Sequence, residues 1–207
     1  DGSKFNYVPA TGNVPLVSDM SSCTLSEPVV VSKYGLIYAG DQKNIAPAGV
    51  TVVIIRDDWL YEPLPGTPIM LTYAIQAKND SKYITPSTYS IYMAMLVLEW
   101  IERTGGLSAM KTRNEENAGI LYDYLDSTSF YKTNIEPAYR SLMNVTFTTG
   151  NDDLDAKFVK ESTAYNISNL KGHRAVGGMR ASIYNAMPKA GVEYLVAFMK
   201  KFEKENG

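Results

Sequence analysis

The sequence predicts an α/β fold over roughly its first half and a smaller α+β section after it, and three observations carry that expectation. Val50-Thr51-Val52-Val53-Ile54-Ile55 is β-branched and apolar without alternation, as in a strand covered on both faces. Two helical patterns follow it, and beyond Ser127 short strand and helix patterns alternate. The composition is that of an ordinary globular chain: of 207 residues, 45% are hydrophobic and 20% charged, which excludes disordered and collagen-like classes.

Taken in order, residues 1–13 are polar and rich in turn formers and read as loop. Pro15 to Asp19 is a short apolar run ending in an acid, and Leu36 to Ala39 is another, closed by Gly40 and the polar stretch Asp41-Gln42-Lys43-Asn44. The strong strand at 50–55 stops at Arg56-Asp57-Asp58. Residues 61–84 hold Pro and Gly and read as a long irregular loop, a kind of segment that is often functional. Thr85-Pro86 has the form of an N-cap followed by proline in the first turn, and the helix it opens, running to about Arg103, is apolar on most faces and so is expected to be buried. Gly105-Gly106 ends it, and Leu107 to about Leu125 is a second helix with one charged side. Met143 to Phe147 is a strand, Asp152 is placed to cap a helix to about Tyr165, Met179 to Tyr184 is a strand, and Pro188 starts a final amphipathic helix. A boundary falls near residue 106, giving units 1–106 and 107–207.

Charge and rare residues exclude several functions. The net charge of −2 offers no field for nucleic acid or an anionic membrane. The single cysteine, Cys23, and the single histidine, His173, rule out an internal disulfide, Cys-rich zinc sites and two-His metal sites, so no metal is expected. No basic leader precedes an apolar stretch, and the greasiest segment, Ile91 to Ile101, is broken by Glu99 and falls short of the ~20 residues a bilayer requires. A reducing, cytoplasmic setting is the expectation.

Two places concentrate chemistry. Asp19 ends a strand and Lys43 sits in a turn just past another, and α/β folds bind ligands outside the carboxyl ends of their strands. On spacing alone, such residues are most often solvated turn positions. The second place is Lys171-Gly172-His173-Arg174 with Arg180 beyond it, cations spaced by glycines that let the backbone turn sharply. That arrangement suits an anionic small molecule, and equally a hairpin whose basic residues face water.

The segments Asp19-Met20-Ser21-Ser22, Tyr38-Ala39-Gly40-Asp41-Gln42-Lys43-Asn44-Ile45-Ala46-Pro47-Ala48-Gly49 and Leu170 to Met187 stand in an order and spacing that closely resemble the phosphoserine aminotransferase family. That family is class V, fold type I, and uses pyridoxal 5′-phosphate. The resemblance runs through essentially the whole chain. It implies a large cofactor domain with a mainly parallel sheet, of which residues 1–106 would be the later section, and a small α+β domain at 107–207. It implies that Lys43 holds the cofactor covalently and moves protons, that a buried Asp19 pairs with the ring nitrogen, and that Gln42 contacts the cofactor. Ile84 and Thr85 match positions that reach the cofactor phosphate of a second subunit in a homodimer. Arg180 resembles the arginine for the substrate α-carboxylate, and His173 and Arg174 the pocket for a distal phosphate or carboxylate, so that amino acids and 2-oxo acids are the small-molecule partners.

The sequence departs from the family in places. Ile84 stands where asparagine is usual, Ala46 replaces a glycine and Met20 an aromatic. Cys23 follows a strand and reads as packing rather than as the mobile-loop nucleophile of related desulfurases. The family's phosphate cradle and ring-stacking aromatic lie ahead of the position of Asp1, so the chain is expected to be part of a longer polypeptide. The reaction implied is amino transfer between phosphoserine with 2-oxoglutarate and 3-phosphohydroxypyruvate with glutamate, in serine biosynthesis and, as in some relatives, vitamin B6 biosynthesis. Two alternatives are another class V enzyme and a catalytically silent piece serving assembly or dimerisation.

Overall fold

The computed structural model describes residues 2–207. They form two compact units, one of Pro9–Thr24 with Pro28–Arg103, the other of Leu25–Glu27 and Thr104–Gly207 together with the N-terminal stretch as far as Val8. Two short stretches ahead of residue 104, the one as far as Val8 and Leu25–Glu27, thus group with the C-terminal unit. The first is bound into the C-terminal unit by backbone bonds, Lys4 N donating to Tyr139 O at 2.8 Å and Ser141 N to Gly2 O at 2.9 Å.

The first unit is built on a three-stranded sheet. Strand β1 (Val17–Asp19) runs parallel to β2 (Leu36–Gly40), with Asp19 opposite Tyr38. Strand β3 (Thr51–Ile55) pairs antiparallel to β2, with Gly40 opposite Thr51. Central β2 buries Leu36, Ile37 and Ala39. Expectation and structure part at β3: Val52 and Ile54 are 38% and 44% exposed, so the strand is not covered on both faces. An unbroken apolar run shows that both faces are fit for burial, whereas covering them requires other elements, and this unit supplies none for that face.

The long 61–84 segment contains a short helix, α1 (Tyr73–Lys78). Helix α2 spans Thr88–Arg103, so Thr85-Pro86 precede it instead of opening it. Ser87 takes the place before the first turn, its carbonyl accepting from Ile91 N at 3.1 Å and its hydroxyl bonding to Ser90 Oγ at 3.2 Å. The expected burial of α2 is also corrected. Only Ser90 and Ile101 are buried, while Tyr92, Met95 and Leu98 lie open, with no covering layer among the described residues.

In the C-terminal unit, α3 (Gly106–Ser127) starts at the Gly105-Gly106 turn, where both glycines adopt positive φ. Strand β4 (Asn144–Phe147) pairs antiparallel with β5 (Met179–Ser182), placing Thr146 opposite Arg180. Helix α4 (Asp152–Ala164) is capped by Asn151 and not by Asp152: the Asn151 side chain accepts from Asp153 N at 2.9 Å and Leu154 N at 3.1 Å. Asp152, Asp153 and Asp155 then fall in the first turn, where they complement the helix dipole.

Helix α5 (Lys189–Asn206) buries Val192, Leu195, Val196, Met199 and Phe202, an i, i+3, i+4, i+7 stripe turned to the core. Phe158 is the centre of that core, fully buried, with ring centroids of Phe147, Tyr131, Phe198 and Phe202 at 4.9–5.9 Å. No helix among the described residues is long and apolar enough to cross a membrane.

Candidate active site

Parallel pairing of β1 with β2 brings their carboxyl ends to one edge. Asp19 is the last residue of β1, and β2 ends at Gly40, directly before the turn that carries Gln42 and Lys43. The Asp19 carboxylate is held by its own turn: Oδ1 accepts from Ser21 N at 2.8 Å. Ser21 Oγ in turn accepts from Gly40 N at 3.0 Å, which ties the Asp19 turn to the end of β2. The Asp19 pKa lies below its ordinary value, chiefly through hydrogen bonds from the Ser21 hydroxyl and N–H, against some desolvation, with help from the Tyr38 hydroxyl and the positive charge of Lys43. The acid is thus kept as an anion within electrostatic reach of the lysine.

Asp41, which the sequence reading gave no role, organises the lysine turn. It is 1% exposed, and its two carboxylate oxygens accept from Gly49 N at 3.2 Å and Val50 N at 2.8 Å. Its carbonyl accepts from Ile45 N and Ala46 N, and its N–H donates to Val50 O. One residue therefore closes the whole loop from β2 to β3 around Lys43. Gln42 folds its amide back over Gly40, so closely that a Cβ on that residue would sit 2.6 Å from Gln42 Oε1. A buried aspartate in a polar run carries no periodic signal, which is why composition and spacing could not single it out.

Asp19 and Lys43 are both exposed among the described residues, not enclosed as the resemblance implies. The reason is the one met at β3: no other part of this unit covers that edge. Ile84 is 57% exposed, and Thr85 is likewise exposed in the irregular backbone ahead of α2. The start of α2 is fastened near the lysine turn, Ser90 Oγ lying 3.5 Å from Ala48 O.

The remaining candidates belong to the C-terminal unit. Lys171 to Met179 forms a tight hairpin, Gly172 N donating to Gly178 O at 2.8 Å, with Lys171 bridging Met179. His173 and Arg174 are exposed at its tip, where His173 O accepts from Val176 N and Gly177 N, and His173 Nδ1 accepts from Ala175 N. Arg180 lies on β5, and its Nε is buried with no hydrogen-bond partner among the described residues. A buried guanidinium nitrogen left unpaired is costly, and an anionic ligand is the usual way such a donor is satisfied. Among the described residues no group of three or more His, Cys, Asp or Glu could hold a metal ion.

Residues 6–195 match the family model described as aminotransferase class-V. The chain belongs to that family. It is 53% identical, over 99% of its length, to a protein named phosphoserine aminotransferase from Vesicomyosocius okutanii. A solved phosphoserine aminotransferase from Bacillus circulans subsp. alkalophilus superposes with a TM-score of 0.96 at 46% identity over the whole chain. One from Trichomonas vaginalis, described as PLP-bound, gives 0.91 at 44% identity over 96% of it. In each case the chain spans 57% of the relative's own length. The mixed α/β architecture is that of these aminotransferases.

Proposed function

We propose that this chain is the lysine-bearing portion of a pyridoxal-phosphate-dependent phosphoserine aminotransferase. Residues 1–106 belong to its large cofactor domain and 107–207 form its small domain. The observation that carries the reading is the placement of Asp19, held as an anion by Ser21, and of Lys43 at or just past the carboxyl ends of two adjacent parallel strands.

These residues fit the cofactor. A carboxylate kept charged by fixed donors is the group that holds a pyridine nitrogen protonated, and an exposed lysine on a rigid turn is free to bond an aldehyde. Pyridoxal phosphate supplies that aldehyde and a ring that takes up the electrons released at a substrate α-carbon. Asp19 would hold the charged ring nitrogen, and Lys43 would hold the cofactor through its aldehyde and, as a free amine, would move a proton at the substrate α-carbon. Gln42 would contact the cofactor from the position before the lysine. Thr85, with the backbone of Ile84, reaches the cofactor phosphate of a second copy in a homodimer. Arg180 pairs with the α-carboxylate through a guanidinium that otherwise lacks a partner at Nε, and His173 and Arg174 bind the distal phosphate or carboxylate. One cationic pocket accepting both anions lets a single site handle phosphoserine and glutamate. The setting that goes with this chemistry and the single cysteine is cytoplasmic.

The test uses the full-length protein with pyridoxal phosphate. Borohydride reduction followed by digestion should leave the cofactor on the Lys43 peptide, and bound cofactor with unmodified Lys43 would reject the assignment. In single turnovers, Arg180→Ala should slow the reaction with phosphoserine and glutamate alike. Arg174→Ala should weaken those two relative to alanine.

A further inference from the structure

Residues 24–27 form neither helix nor strand, yet each is held individually. Thr24 O accepts from Asn44 Nδ2, Leu25 O from Asn185 Nδ2 and Ser26 O from Asn114 Nδ2, all at 2.9 Å. Glu27 pairs with Lys4. Three consecutive carbonyls are thus satisfied by three asparagine amides, and Leu25 adopts φ 61°, a conformation that persists in a non-glycine residue only when its surroundings impose it. The amides are firmly set: Asn114 and Asn185 are 1% and 2% exposed. A second bond, from Asn114 Nδ2 to Asn185 Oδ1 at 2.9 Å, orients Asn185 with its donor nitrogen toward Leu25.

This strap continues directly from Asp19. Thr24 N and Thr24 Oγ1 both donate to Met20 O, at 2.7 and 2.6 Å, so the backbone between Asp19 and Thr24 is one closed turn. Asn44, which grips the far end of that turn, is the residue after Lys43. The turn of the acid and the turn of the lysine are therefore joined by a bond outside the sheet ladder.

We infer that Asn44 is a positioning residue that fixes the Asp19 turn against Lys43. The inference rests on the reading of Asp19 and Lys43 as cofactor residues. Asn44 acts through the Thr24 carbonyl it holds. Asn117 provides a control, a buried asparagine of the C-terminal unit whose amide donates to Met187 O at 3.0 Å.

Hydrogen exchange and cofactor titration on the full-length protein test this. In the cofactor-free wild type, the Cys23 and Thr24 amides should be protected well beyond an open loop, and Asn44→Ala should speed their exchange at least tenfold while Asn117→Ala does not. With cofactor, Asn44→Ala should weaken pyridoxal phosphate binding at least tenfold and shift the pH midpoint of the cofactor absorbance. Asn44→Gln should recover part of both, and Asn117→Ala should change neither while lowering thermal stability comparably. Unprotected Cys23 and Thr24 in the wild type overturn the positioning role even if Asn44→Ala fails to fold. So do wild-type affinity and pH midpoint in Asn44→Ala when borohydride still fixes the cofactor to Lys43. A wild type that never takes cofactor at Lys43 overturns the underlying reading as well.

Discussion

Replacing Asp41 by alanine removes both acceptors that close the loop around Lys43. Gly49 N and Val50 N lose partners at 3.2 and 2.8 Å, at a position where the side chain is 1% exposed and water cannot readily substitute. A hydrogen bond to a charged group contributes about 1.5 kcal/mol or more, so the pair together amounts to about 3 kcal/mol. That corresponds to roughly a hundredfold change in the opening equilibrium of the β2–β3 loop. Asp41→Asn keeps one acceptor and should lose about half as much. The assay is hydrogen exchange of peptides covering residues 41–55 in the full-length protein, with α5 peptides as the internal reference. Exchange in Asp41→Ala should accelerate about a hundredfold in the first and stay unchanged in the second. An acceleration under threefold would show that the loop is closed by its backbone ladder alone and that the carboxylate is dispensable.

Three further outcomes are expected. Ser21→Ala removes the largest cause of the lowered Asp19 pKa, so the carboxyl should titrate closer to its ordinary 3.8, as read by carbon-13 NMR. The sign follows from linkage: a folded-state pKa below the unfolded one adds stability above the ordinary value, and that stability is lost as pH falls through the lowered one, so the wild type should lose more stability in acid than Ser21→Ala. Gly172→Ala places a Cβ 1.9 Å from Gly177 O, which the hairpin cannot absorb; under the proposed function, KM for phosphoserine in the full-length protein should rise at least tenfold, and an unchanged KM would reject the proposed role of the hairpin. Phe158→Ala empties the centre of an aromatic cluster and should cost about 3–5 kcal/mol in denaturant unfolding of the C-terminal unit, with a loss under 1 kcal/mol contradicting its central place.

Legibility differed between elements for physical reasons. Helices α3 and α5 were readable because burial imposes a period on the residues that line a core, and strands β2 and β3 because short apolar runs stand between polar or glycine stops; both signals survive in one dimension. The caps were read one or two residues off. Asn151 and Asp152 are both good capping types, as are Thr85 and Ser87, and only the backbone geometry decides which side chain meets the free N–H groups. The exposure of α2 and β3 was misread because an apolar surface declares its fitness for burial without naming what covers it.

The family was legible in the residues around Asp19, Lys43 and Arg180, since the order of motifs along a chain is a property of the sequence alone. Which side chains face one another is a different kind of fact. That Asp19 and Lys43 share an edge depends on parallel pairing of strands separated by the 20–35 segment. That Asp41 points inward to gather Gly49 and Val50, and that Asn44, Asn185 and Asn114 converge on three successive carbonyls, depends on contacts spanning from 8 to 160 positions of sequence. Hydrogen bonds of that range leave no periodic trace in a linear string, because their partners are chosen by proximity in space after the chain has folded.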